Sequence, residues 1–351
     1  MTEKNSTKKD RRGKTATLFF LSIVALIVSA IFSLGIGSVK IGFFAVLYTV
    51  IKQVGFDPGN VTRVDYIIIT QLREPEIIGG LAVGASLAIG GAVVQSIFRN
   101  PISEPYITGV SSGATLGAVV AIVFGITFFG VFTLPILAFI FSLATVFVVY
   151  LLSARKGRIP PVIFLLTGIA ISLFASSLVA LLLYSKPALE NRIFFWVLGS
   201  LVPLNWTDVT ILVPVVGVTS MIVWAMYREL NALQMGDVHA RSVGVNPERA
   251  KLILITLSTV SVAACVSLTG LIGFVGLIFP HISRILYGGS NKYVVPSSGI
   301  LGATFLILSN DLAQSVIKGE IIPIGIITGI IGVPFFLFLL IRINARGYYG
   351  S

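Results

Sequence analysis

The sequence predicts an all-α polytopic membrane protein with ten transmembrane helices and both termini in the cytoplasm. Three observations carry this. The 351 residues are 56% hydrophobic and only 11% charged, with mean hydropathy +0.99, whereas a soluble domain carries about 25% charged residues. The apolar residues gather in charge-free runs, and a bilayer-crossing helix needs about 20 such residues. The cations behind the net charge of +11 sit in short connectors, which reads as membrane topology rather than a nucleic-acid surface.

The segments follow in order. Residues 1–14, "MTEKNSTKKDRRGK", form a basic tail with Lys4, Lys8, Lys9, Arg11, Arg12 and Lys14. It should hold the N-terminus in the cytoplasm and meet anionic lipid. Thr15–Val39 is the first span. "VSA" at Val28–Ala30 resembles a signal cleavage site, but the apolar run continues past it. Ile77–Phe98 crosses once. Pro105–Ala154 is fifty residues without a charge and holds two spans, turning near "GITFFGVFTLP". Ile159–Ser185 crosses, Ile193–Thr207 is short, and Val209–Tyr227 crosses. Leu252–Ser283 is interrupted by "TGLIGFVG". Tyr293–Asn310 and Ile321–Ile341 complete the set.

Whether Leu252–Ser283 crosses once or twice is decided by charge. With two crossings, Arg284, Lys292, Arg342 and Arg346 lie inside with Arg99, Arg155, Lys156, Arg158, Arg228, Arg241, Arg249 and Lys251, and among the later connectors only Lys318 lies outside. With one crossing that bias inverts, so two crossings are expected.

"FRNPISEPYITGVSSGA" (Phe98–Ala114) then becomes a cytoplasmic turn. Pro101 and Pro105 lack amide donors and prevent one continuous helix, and irregular backbone needs water or protein partners. Read from the residues alone, this is a polar loop ending a helix. The run "GGLAVGASLAIGGA" spaces Gly80, Gly84 and Ala88 for close helix packing. Gly168, Ser172 and Ser176 make a second small face, suited either to packing or to lining a pathway.

No segment matches the phosphate-binding G-x-x-x-x-G-K-[ST] pattern. His239 and His281 lie far apart, so no metal site of ordinary spacing is expected, and Cys265 stands alone. No nucleophile–base pair is evident. The chain is therefore expected to be no enzyme and to carry no cofactor. Asp311, beside Asn310, is an intramembrane carboxylate, either an interfacial residue or the proton-coupling group of a secondary carrier.

"YRELNALQMGDVHARSVGVNPERAK" (Tyr227–Lys251) is the longest polar stretch between spans. Leu230, Leu233, Val238 and Val243 can form an apolar stripe that short loops cannot cover. Such a stripe suits docking to another protein or lying on the membrane surface.

Three stretches together resemble the FecCD-type permeases of ABC importers for iron–siderophores, haem and cobalamin: "QLREPEIIGGLAVGASLAIGGAVVQSIFRNPISEPYITGVSSGATLGA", "MGDVHARSVGVNPERAK", and "LTGLIGFVGLIFPHISRILYG" followed by "IPIGIITGIIGVPFFLFLL". The resemblance covers nearly the whole chain after the tail. It implies a ten-helix permease domain over 15–345, a coupling region at about 228–251 and a C-terminal tail at 346–351. It implies a second permease chain and two cytoplasmic ATPase subunits, which would hold ATP and Mg. It also implies an extracellular substrate-binding protein.

By the same resemblance, Leu233, Met235, Gly236, Asp237, Ala240 and Arg241 fall in the element pressed against the ATPase. Asn100, Pro101, Glu104 and Pro105 fall near the inner gate or the ATPase contact. Arg73 matches the first arginine of an outer R-x-P-R motif that meets the binding protein. Two departures stand out: Glu76 replaces the second arginine, and Ser315 stands where relatives often carry arginine, with Lys318 a turn later. A docking surface with fewer cations favours a heterodimer, each permease facing a different lobe of the binding protein.

Overall fold

The computed structural model describes residues 2–37, 39, 41–53, 55, 59, 61–154, 158–317 and 319–345, the side chains of 2–12, 339–340 and 342–345 excepted. The expected docking residue Lys318, the connector residues Arg155 and Lys156, and the tail 346–351 lie outside the described residues.

The described residues are mostly helical, with no strand among them. In order it forms α1 (Thr2–Ser33), α2 (Phe43–Gln53), α3 (Arg63–Ile67), a π-helical turn (Ile68–Arg73), α4 (Glu74–Phe98), α5 (Val110–Val123), α6 (Thr133–Ser153), α7 (Pro161–Ser185) and α8 (Glu190–Val197). It continues through α9 (Trp206–Ala225), α10 (Tyr227–Gln234), α11 (Asp237–Ser242), α12 (Pro247–Thr269), α13 (Val275–Tyr287), α14 (Asn291–Ser315) and α15 (Ile324–Ala345). Among the described residues, seven helical stretches are long and apolar enough to cross a bilayer: Gly13–Ser33, Arg63–Phe98, Gly130–Ser153, Pro161–Ser185, Trp206–Ala225, Pro247–Thr269 and Asn291–Ser315. Val110–Val123, Val275–Tyr287 and Ile324–Phe338 are shorter apolar helices.

Helix α4 is the hub, packing on α14, α13, α12 and α9. Its glycines explain why. A Cβ added at Gly84 would stand 2.5 Å from the Gly302 carbonyl oxygen, and Gly302 offers no side chain in return. Two backbones therefore meet where lipid gives no hydrophobic push between helices, so close van der Waals contact must supply the attraction. Around this hub α1, α6 and α7 are mostly exposed, as lipid-facing helices are.

The Leu252–Ser283 run breaks where the glycines suggest. Helix α12 ends at Thr269, Gly270 has φ +71°, and Phe274 has φ +69° before α13 begins. Lys251 at the start of α12 bonds Asp237, the glycine before Asp237 faces Arg99 at the end of α4, and Arg284 near the end of α13 bonds Ser96. Both outer ends therefore lie where α4 stops, and α13 returns along the path that α12 left.

Two elements differ from the sequence reading. The helix containing α4 starts at Arg63, not Ile77, because Asp65, Arg73, Glu74 and Glu76 are held by neighbours and do not mark a boundary. Thr62 caps its start by accepting from the Asp65 amide at 3.1 Å. Phe43–Gln53, which the charge-free runs omit, is a separate helix with Val46 and Thr49 buried.

Candidate functional site

The end of the bundle where α4 stops carries the first constellation. Helix α10 buries Leu230 and Leu233 against the core. Gly236 then turns the chain with φ +108°, a value L side chains rarely adopt. Helix α11 consequently leaves in a new direction. Its Asp237 accepts a hydrogen bond from the Lys251 ammonium at 2.6 Å, and the same ammonium reaches the Ile159 carbonyl at 3.3 Å. The pair ties α11 to α12 and to the α6–α7 connection. Arg241 pairs with Glu248 at 2.5 Å.

This geometry corrects the single apolar stripe. Leu230, Leu233 and Ala240 are all within 1% of full burial, so Leu233 and Ala240 cannot touch a partner. The turn at Gly236 breaks the helical register on which the stripe depended. The exposed apolar face is instead Met235 (70%), Val238 (82%) and Val243 (56%).

The proline-broken turn differs from a simple surface loop. Arg99 ends α4 in the left-handed region, and the Asn100 side chain accepts from the Ile102 amide at 3.1 Å. Pro101 is exposed and Asn100 partly so. The chain then folds back into the bundle. Glu104 faces the Phe274 amide, and the Pro105 ring fills the space that the missing side chains of Gly90 and Gly276 leave. The Tyr106 hydroxyl donates to the Ile272 carbonyl at 3.0 Å and accepts from the Ile272 amide at 3.1 Å. Pro105 is thus buried and Glu104 partly so, rather than both lying on an exposed loop. Side chains of the 104–109 segment satisfy backbone groups in the irregular 270–274 break, as backbone at membrane depth requires. The Tyr106–Ile272 link escaped the sequence reading because the partners lie far apart in the chain and one of them is backbone.

At the opposite end, Arg73 donates to the Leu34 and Val39 carbonyls and is 5% exposed. Glu76 accepts from Asn310 at 2.9 Å and from Gln314 at 2.5 Å and is 7% exposed. Asp311 accepts from Ser33 at 2.6 Å. Ser315 donates back to the Asp311 carbonyl. Arg73 and Glu76 are therefore not a docking surface in this structure. They clamp α1 and the segment after it onto α4 and α14, and Glu76 finds amide donors where an arginine would have needed acceptors.

Between α5, α7 and α8 lies an open cavity of about 460 Å³. Ser172 and Ser176 line it, facing Ser111, Ser112 and Thr115, with Glu190 at its edge. The Ser112 and Ser172 hydroxyls are 3.1 Å apart. Gly168 is corrected to a packing residue: it is buried, and its added Cβ would stand 2.3 Å from the Ile107 carbonyl oxygen. No group of three or more His, Cys, Asp or Glu that could hold a metal occurs among the described residues.

A family model described as the FecCD transport family matches residues 25–342. The chain belongs to that family. The cobalamin import system permease protein BtuC of Halobacterium salinarum is 39% identical over 275 residues, covering 78% of this chain and 73% of that protein. The Fe(3+)-citrate import system permease protein YfmE of Bacillus subtilis is 35% identical over 343 residues, 98% of this chain and 99% of that one. A solved structure of a metal-chelate type ABC transporter in an inward-facing conformation superposes with TM-score 0.82 at 32% identity, covering 93% of this chain and 99% of that one. As a FecCD member with these apolar helices, the chain is a multi-pass protein of the cell membrane. The Gly236 turn, the proline-broken turn, the cavity and the clamp described above all fall within the FecCD match.

Proposed function

We propose that this chain is the permease subunit of an ATP-driven importer, most simply one that takes up a ferric siderophore delivered by an extracellular binding protein. The exposed Met235–Val238–Val243 face carries the reading, because it presents large apolar side chains on an element locked by Lys251–Asp237 to the base of α12. Two cytoplasmic ATPase subunits, holding ATP and Mg, would press there. A push on α11 would pass through Lys251 to α12, and from the break at Gly270–Phe274 to the Tyr106 turn. The hydroxyl-lined cavity beside Ser172 and Ser176 would form part of the path.

We infer ten crossings with both termini cytoplasmic. The return of α13 along α12 supports this, as does the gathering of Arg99, Arg228, Arg241, Arg249 and Arg284 at one end. A second, non-identical permease chain would complete the pathway. Ferric substrate is preferred because Fe(3+)-citrate, Fe(3+)-hydroxamate and Fe(3+)-dicitrate permeases all match over nearly their full length, against one molybdate permease that does so. A proton-driven carrier is not supported. Asp311 does not line the cavity, and its carboxylate is engaged by Ser33.

The test is uptake into proteoliposomes holding this chain and its neighbouring gene products. Uptake should stop when the ATPase loses its P-loop lysine and persist when the proton gradient is collapsed. The reverse pattern would refute the proposal. A transport-competent homodimer of this chain would refute the heterodimer.

A further inference from the structure

An open groove of about 520 Å³ runs between α6 and α12 and shares no lining residue with the Ser172–Ser176 cavity. Ile140, Phe147 and Tyr150 form one wall, and Leu252, Thr256 and Val260 form the other. From Ile140 to Tyr150 the helix rises about 15 Å at 1.5 Å per residue. That is the depth of one leaflet of a hydrocarbon core about 30 Å thick. The groove begins near the end of the bundle where α6 stops and α12 starts.

Charge marks that mouth. Arg249 is exposed in the first turn of α12, and its backbone amide is fixed by the Asn246 side chain at 3.1 Å. It precedes Leu252 by three residues and Thr256 by seven, so helical periodicity puts it on the face that lines the groove, one turn below. It has no ion-pair partner among the described residues. Arg158 is exposed just beyond the end of α6. A leaflet-deep apolar slot with a cation at its mouth and no anion of its own fits an amphiphile with an acyl chain and a negative headgroup.

We propose that the α6–α12 groove holds an acyl chain of an anionic phospholipid whose phosphate pairs with Arg249. The site needs only that the chain spans a membrane, so it stands apart from the importer reading. A neutral lipid would fill the slot but leave Arg249 unanswered. A second protein copy would cover the groove without supplying a phosphate.

The full chain in nanodiscs containing phosphatidylglycerol with a photoactivatable acyl chain provides the test, with labelled peptides mapped by mass spectrometry. Label should concentrate on 140–150 and 252–260. It should fall about fivefold when phosphatidylcholine carries the same probe, the order expected for one cation–headgroup contact. Arg249→Gln should remove that headgroup preference, and Val260→Trp should remove the label. Arg192→Gln, an exposed cation outside the groove, should change neither. The wild-type map alone decides the matter if a variant fails to fold. Equal labelling by both lipids, label spread over all lipid-facing helices, or a groove protected by chain-to-chain contact would each overturn the proposal.

Discussion

Removing one member of the Lys251–Asp237 pair should have sharply unequal effects. The Lys251 side chain is 2% accessible and that of Asp237 33%. Asp237→Ala leaves a buried ammonium whose remaining acceptor is the Ile159 carbonyl at 3.3 Å. Breaking a buried pair this way costs about 3–5 kcal/mol, and the partial exposure of Asp237 places the loss near about 3 kcal/mol. Lys251→Met fills similar volume with apolar atoms, and the freed carboxylate can turn to water. That change should cost about 1 kcal/mol, as for an exposed pair. The difference of about 2 kcal/mol is roughly a thirtyfold change in the folded-to-unfolded ratio. The double variant should resemble Lys251→Met, because no buried charge then remains. Denaturation of the purified chain in mixed micelles gives the ranking. Equal losses, a larger loss for Lys251→Met, or simple additivity in the double variant would refute the reasoning.

Other expectations follow from packing and hydrogen bonding. Gly91→Ala would put a Cβ 1.8 Å from the Gly276 carbonyl oxygen. It should force α4 and α13 apart and cost at least about 1–3 kcal/mol, read as lost folded yield, whereas Gly217→Ala meets nothing within 4 Å and should be tolerated. Tyr106→Phe removes both bonds to Ile272 and should cost about 1–3 kcal/mol, with faster hydrogen exchange confined to 270–274 while the fold persists. Arg73→Gln should lower the melting temperature by loosening the segment after α1. The folded fraction should bind the extracellular protein with unchanged Kd, and a large loss of affinity at unchanged stability would restore Arg73 to a docking role.

The helical, membrane-spanning character was legible because lipid imposes a simple rule: long apolar runs with cations in the connectors. The break in Leu252–Ser283 was legible for the same reason, through its glycines and the charge bias. Burial of individual residues was not. Arg73 and Glu76 look like surface charges until their carbonyl and amide partners are known, and those partners lie up to 238 residues away. The stripe through Leu230, Leu233, Val238 and Val243 failed because periodicity assumes one continuous helix, and Gly236 breaks it. Ser172 and Ser176 do reach a cavity, while Gly168, on the same helical face, is consumed by packing against Ile107. The sequence pattern alone could not separate those two uses of small residues.

The most direct measurement places a thiol on the exposed Met235–Val238–Val243 face, where the ATPase is proposed to dock. Val238→Cys would be the accessible cysteine, since Cys265 is fully buried. With a cysteine at the matching surface of the partner ATPase, oxidation of the assembled transporter should yield a disulfide-linked pair and halt uptake, and reduction should restore it. A residue 238 thiol that reacts with membrane-soluble reagents but never with the ATPase, while uptake proceeds, would contradict the account.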